Sequence, residues 1–217
     1  MTGNEKIRRE RMVRQLSERG IVSRKVLEAM NAVPRELFVD EALRGKAYSD
    51  ASLPIGQTQT ISQPWIVARM SELLEPDGAG KVLEIGSGSG YHAAVLSHLF
   101  ELVYSVERRP ELSRRARETV RELRIQNIHF KIFDGSYGWS EFSPFRAIVV
   151  TAGCPEIPAP LFEQLDEGGR LILPMVRGAA GADQVLVRVT KRDGEAVSEE
   201  HGTCQFVPLV GRFGMQP

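Results

Sequence analysis

Apolar positions recur at helical spacing in the first part of the chain, and further on they fall into short runs that alternate with amphipathic stretches. From Asn4 to Gly20, Ile7, Arg11, Met12, Gln15 and Leu16 follow a 3.6-residue period that Gly20 closes, which predicts a helix. Ser23 to Val33 predicts a second one. Ser23 can cap it, Val26, Leu27 and Met30 supply its apolar stripe, and Pro34 ends it. Ala47 to Gln63 reads AYSDASLPIGQTQTISQ, a polar stretch punctuated by Pro and Gly. It is expected to be a long loop, of the kind that is often functional in a compact domain. A helix should then start around Ser62 to Pro64, with Ser62 as a natural cap and Pro64 in the first turn. Its apolar face is Ile66, Val67, Met70, Leu73 and Leu74, and Pro76, Asp77 and Gly78 stop it.

Beyond Gly80 the pattern switches between strand and helix. Strands are expected at Lys81–Ile85, Leu102–Val106, Ile128–Ile132, Ala147–Val150 and Arg170–Pro174. Helices are expected at Gly90–Phe100, Pro110–Leu123 and Pro158–Leu165. This alternation implies an α/β fold built on a doubly wound, mainly parallel sheet. Gln184 to Thr190 alternates apolar and polar residues, Lys191 to Glu195 reads as a turn, and Ala196 to Leu209 is extended, so the chain should finish in an antiparallel hairpin.

Composition narrows the classes. The chain has 217 residues, 42% hydrophobic and 26% charged, in the range of an ordinary globular domain. Lys plus Arg equal Asp plus Glu at 28 each, which argues against a protein that coats duplex nucleic acid. The first segment is locally basic, and a solvated helix face is the plain explanation of that. Two cysteines without metal-type spacing, Cys154 and Cys204, fit a reducing cytosol, and the polar start of the chain has no apolar leader region. No apolar run approaches the length of a membrane span.

The chemistry concentrates where the first strand of the alternation turns into a helix, Glu84-Ile85-Gly86-Ser87-Gly88-Ser89-Gly90. Glycines there let a ligand approach the backbone, and a helix start offers N–H groups. The spacing is Gly-x-Gly-x-Gly rather than the Gly-x-Gly-x-x-Gly of dinucleotide enzymes. Glu84 would repel a pyrophosphate but not a sulfonium cation. The next strand ends at Glu107, 21 residues after Gly86, near the roughly 20 expected of an acid that holds ribose hydroxyls. The third strand ends near Asp134-Gly135, which places a carboxylate for an adenine amino group and a glycine to make room for the ring.

The glycine loop, Glu107 and Asp134-Gly135 resemble the class I S-adenosylmethionine-dependent methyltransferases. Further segments narrow the resemblance: RMVRQL with RGI near the start, VPRELFV (33–39), AYSDASLPIGQTQTISQPWIVARM (47–70), FDGSYGW (133–139), VTAGCPEIP (150–158) and FVPLVG (206–211). Together they are similar to the protein-L-isoaspartate O-methyltransferase family, with QTISQP (59–64) the most specific element.

The resemblance implies a seven-stranded Rossmann-like methyltransferase fold. Residues 1–217 would form a single domain, with 1–63 as an N-terminal helical and loop cap and 64–217 as the cofactor-binding core. It also implies repair of aged proteins, in which a methyl group passes from S-adenosylmethionine to the free α-carboxylate of L-isoaspartyl residues. The ester then reverts through succinimide, and S-adenosylhomocysteine is the other product. By the same resemblance Ser62 is the active-site serine. Glu84, Gly86, Ser87, Gly88, Gly90, Glu107, Arg108, Asp134, Gly135 and Thr151 would hold the cofactor. Thr60, Ile61, Val207, Pro208 and Leu209 would flank the substrate peptide.

No metal is implied, because a carboxylate is already nucleophilic at neutral pH. The expected partners are damaged proteins and peptides, not nucleic acid or membrane, and the expected state is a cytoplasmic monomer. An alternative is another class I methyltransferase acting on nucleic-acid bases or small molecules. Base methyltransferases, however, carry Asn/Asp-Pro-Pro-aromatic where this chain has Thr151-Ala152-Gly153-Cys154-Pro155. Thr58 stands where the family usually has glycine, Arg146 where it usually has an acid, and Trp65 in place of a more common tyrosine or histidine. Cys154 has no evident activating partner, and His92 and His129 read as surface or helix-end residues.

Overall fold

The computed structural model describes residues 3–178 and 183–216. Two helices open the chain, α1 (Gly3–Glu18) and α2 (Arg24–Ala32). The Ser23 hydroxyl accepts the Val26 N–H and caps α2 as expected. The segment read as loop contains a small antiparallel hairpin, β1 (Leu53–Gly56) and β2 (Gln59–Ile61), followed by α3 (Pro64–Leu73). Leu53, Ile55 and Ile61 are buried, and their packing against the helices is what turns a polar segment into strands.

The main sheet has seven strands: β3 (Lys81–Ile85), β4 (Leu102–Glu107), β5 (Ile128–Ile132), β6 (Phe145–Val150), β7 (Leu165–Arg177), β8 (Asp183–Arg192) and β9 (Glu195–Cys204). Their order is β5-β4-β3-β6-β7-β8-β9. The first five in that order pair in parallel, whereas β7–β8 and β8–β9 are antiparallel. Helices α4 (Tyr91–Leu96), α5 (Pro110–Glu122) and α6 (Ala159–Glu163) make crossovers. Here α4 is shorter than its apolar run predicted. β7 is longer than predicted, because antiparallel pairing with β8 carries it on to Arg177.

Side chains alternate between the two faces of the central strands. Val82, Val103, Ala147 and Val149 join the core beneath the N-terminal helices, α3, α4 and α5. Leu83, Tyr104, Ile148 and Val150 join the opposite core with Leu161 of α6. The order in which strands are added reverses around β3: β4 and β5 follow on one side, and β6 then lies on the other, all parallel. In open parallel sheets the crevice at such a switch point, outside the carboxyl ends of the strands, is where ligands bind.

Candidate active site

The switch point opens into a cleft of about 660 Å³, within the range of small-molecule sites. The turn after β3 forms its floor. Gly86 sits at φ 97°, and a Cβ there would come within 2.4 Å of Thr151 Oγ1. The Thr151 hydroxyl in turn faces the carbonyls of Ile85 and Gly86, at 3.0 and 2.8 Å. The turn is thus locked to the end of β6. Gly90 does a different job: a Cβ at this position would stand 2.9 Å from Ala116, so it lets α5 approach α4, and it does not line the cleft.

Most of the loop's amides are engaged, although its place at a helix start had implied free ones. Gly86 and Ser87 donate to the Val106 carbonyl, Gly88 to Glu107, Gly90 to Ser87 and Tyr91 to the Ser89 hydroxyl. A phosphate would find those donors engaged. What the loop presents instead is a bare backbone surface flanked by carboxylates.

Glu84 is fully buried. Its Oε2 accepts from Ser105, which in turn meets the Ser87 hydroxyl. Its Oε1 has no partner at ordinary hydrogen-bond geometry among the described residues, although the Ala93 N–H of α4 is close enough to favour the charged form weakly. Burial pushes its pKa up to about 8, against the opposing hydrogen bond from Ser105 and with the help of the Glu107 charge. Glu107 is 6% exposed, its Oε2 accepting the Gly88 N–H and its Oε1 the Arg109 N–H, both at 2.9 Å. These bonds hold the carboxylate rigidly at the cleft wall, next to the exposed Arg108.

The Asp134-Gly135 pair is split. Gly135 lines the cleft but Asp134 does not. Asp134 Oδ1 accepts from the N–H and hydroxyl of Ser136, at 2.9 and 2.7 Å, and Oδ2 accepts the Arg212 N–H at 2.9 Å. The carboxylate caps the short turn Gly135–Tyr137 and anchors the C-terminal segment.

The other wall of the cleft carries Thr60, Ile61 and Ser62 at the exit of the β1–β2 hairpin, and Val207, Pro208 and Leu209 beyond β9. The second group is stitched to the end of β6: Gly153 donates to Val207 at 2.8 Å, and Leu209 donates back to Gly153 at 2.9 Å. Ser62 is not the cap of α3. The cap position is Gln63, without a side-chain bond, and it is the Asp50 carboxylate that accepts the Trp65 N–H, at 2.9 Å. The Ser62 hydroxyl, at the cleft wall, has no partner among the described residues.

Of the residues expected to form the site, then, the fold brings all but Gly90 and Asp134 to one cleft. A family profile described as "Protein-L-isoaspartate(D-aspartate) O-methyltransferase (PCMT)" matches residues 7–214. The chain belongs to that family. It is 52% identical over 210 residues to a protein-L-isoaspartate O-methyltransferase of Geobacter metallireducens, covering 96% of both chains. It is also 52% identical to one from Syntrophobacter fumaroxidans, again covering 96% of both.

Among solved structures it resembles a protein-L-isoaspartate O-methyltransferase at TM-score 0.85 and 34% identity. The match covers 92% of this chain and spans 65% of that longer one. A Plasmodium falciparum protein described as a putative member, in complex with S-adenosyl-L-homocysteine, matches at TM-score 0.78 and 26% identity over 92% of this chain and 96% of its own. The chain is therefore a methyltransferase of this family, with S-adenosylmethionine as methyl donor. The site fits that donor: a buried acidic side chain with an under-satisfied oxygen, beside a loop whose amides are mostly engaged, suits a cationic ligand rather than a phosphate.

Several cleft residues were not singled out from the sequence. Tyr91 and His92 line it from the start of α4, and Arg109, Gln59 and Phe206 from its rim. His92 stands at a helix end, as expected, but is not on the surface. It is 6% exposed, with Nε2 3.0 Å from the Ser71 hydroxyl, and burial holds its pKa down at about 3. His129 is exposed as expected, and Cys154 is buried, its thiol pushed up to about 12 by burial.

Proposed function

We propose that this cleft methylates the free α-carboxylate of L-isoaspartyl residues in damaged proteins and peptides, with Ser62 as the group that receives the acceptor. The observation that carries this reading is Ser62, its hydroxyl unengaged, in the wall of the cleft that the glycine loop floors. When bound, the cofactor supplies an electrophilic methyl group on a sulfonium centre. The acceptor is ionised at neutral pH, since an α-carboxyl titrates near about 3.5. No general base is then needed, and the protein's task is to place and desolvate a nucleophile. Ser62 would donate its hydroxyl proton to one carboxylate oxygen and leave the other free to react. Thr60 and Ile61 would bound the acceptor on one side, and Val207, Pro208 and Leu209 the peptide on the other. Glu107 would hold the ribose hydroxyls, Glu84 would face the cationic half of the donor, and Gly135 would leave room for the adenine. Arg108 and Thr151 would close the cofactor side. Asp134 would reach the adenine amino group only with a lone pair not already used by Ser136 or Arg212.

Residues 1–63 would act as a cap on the 64–217 core within one catalytic domain. The chain would work as a cytoplasmic monomer on protein partners, without nucleic acid. No helix among the described residues is long and apolar enough to cross a membrane.

Two variants test the halves of the site. Ser62→Ala should lower kcat about tenfold or more with S-adenosylhomocysteine affinity unchanged, the loss expected of one hydrogen bond to a charged group. Glu107→Ala should raise the cofactor KM by a similar factor. An unaltered kcat in the first, or an unaltered KM in the second, would remove that residue from its role.

A further inference from the structure

The segment VPRELFV carries a residue that neither half of this chemistry uses. Arg35 opens a short 3-10 turn (Arg35–Phe38) and is fully buried, 0% exposed. Its Nε donates to the Ala47 carbonyl and its Nη2 to the Ser62 carbonyl, each at 2.7 Å. Those carbonyls mark the beginning and the end of the segment that carries the β1–β2 hairpin. The guanidinium also lies over the ring of Tyr91, 4.7 Å from its centroid. Tyr91 is the first residue of α4 and lines the cleft. One side chain therefore touches both ends of the acceptor segment and the helix that follows the glycine loop.

Arg35 forms no salt bridge among the described residues. The neighbouring Glu36 carboxylate accepts from the Tyr48 hydroxyl instead, and Arg35 Nη1 has no partner. Burial lowers the Arg35 pKa to about 10, which still leaves it charged at neutral pH. A buried cation without a carboxylate costs stability, and apolar packing alone gives no reason to place one here. Its planar fork does: two nitrogens fixed in one rigid plane hold the two carbonyls in a set geometry, whereas an ammonium offers its donors from a single nitrogen on a flexible stem.

We propose that Arg35 is a positioning residue for methyl transfer, clasping Ala47 and Ser62 so that the Ser62 hydroxyl stands at a fixed place in the cleft. The proposal rests on the reading of Ser62 given above. Arg35→Lys keeps the charge but replaces the fixed two-nitrogen fork with one nitrogen on a flexible stem. It should lower kcat on an isoaspartyl peptide about ten- to hundredfold, while S-adenosylhomocysteine, titrated calorimetrically to count folded sites, binds within about twofold of wild-type affinity. An unchanged kcat per binding site would overturn the clasp, and so would loss of S-adenosylhomocysteine binding in step with kcat, the mark of general support to the fold.

Adding Ser62→Ala to Arg35→Lys should cost little further activity if Arg35 acts through Ser62. Costs that multiply would contradict that route. Ser62→Ala measured alone keeps the two failures apart: an unchanged kcat there sinks the role of the serine and the positioning proposal with it, whereas a lowered kcat there with an unchanged one in Arg35→Lys sinks the positioning proposal alone.

Discussion

Glu84 shows what a residue's surroundings add to its identity. Its place ahead of the glycine loop was visible in the sequence, and so was its sign against a phosphate ligand. Its complete burial and its link through Ser105 to Ser87 were not, because they depend on the pairing of β3 with β4. The consequence can be measured. Burial raises the Glu84 pKa from 4.5 to about 8, so between those values the folded, ligand-free protein holds a proton that the unfolded chain releases. The associated stability is fully present at low pH and is lost as pH rises through the folded value. Wild-type protein should therefore lose up to about 1.4 kcal/mol per pH unit across that window relative to Glu84→Gln. Denaturant titrations of both proteins from about pH 5 to about pH 9 would read the difference directly. Parallel curves would mean that Glu84 is ionised throughout. At the same scale Glu107 was legible because its spacing from Gly86 is fixed by one strand-helix-strand unit. The attachment of Asp134 was not, since its partner Arg212 lies 78 residues further along the chain.

Among the elements, the regular α/β alternation declared itself through its periodicity, and the β1–β2 hairpin did not. Its turn residues, Gln57 and Thr58, both sit in the left-handed region, at φ 54° and 57°. Hairpin turns of that shape favour Asn-Gly or Asp-Gly, so the pair Gln-Thr gave no turn signal. The usual glycine of the family at position 58 is the residue this backbone suits. Thr58→Gly should stabilise the protein by about 1 kcal/mol, relieving a β-branched residue at positive φ, and raise Tm by about 2–4 °C. A lower Tm, read by scanning calorimetry, would mean that the backbone freedom gained in the unfolded chain outweighs the strain. The start of α3 holds a similar lesson. Ser62 read as its cap because the residue type and position fit. Tertiary structure brings Asp50 to that end instead and leaves the serine, its hydroxyl unengaged, in the cleft wall.

For the whole molecule, the parallel sheet and the terminal hairpin followed from the order of strand and helix patterns. The strand order, and with it the identity of the loops that meet, did not. The β1–β2 hairpin and residues 207–209 lie far apart in sequence. They share a cleft because β6 emerges beside β3 and the tail is bonded back to Gly153. Only the family resemblance had joined them beforehand. The cleft therefore combines a donor side read from local spacing with an acceptor side that exists only in three dimensions. The central claim is that the acceptor side selects an isoaspartyl carboxylate. Labelled S-adenosylmethionine, offered with an isoaspartyl peptide and separately with its normal aspartyl twin, tests this most directly. Base-labile methyl ester on the isoaspartyl peptide alone is the predicted result. Equal labelling of the two peptides, or none of either by protein that binds S-adenosylhomocysteine, would contradict it.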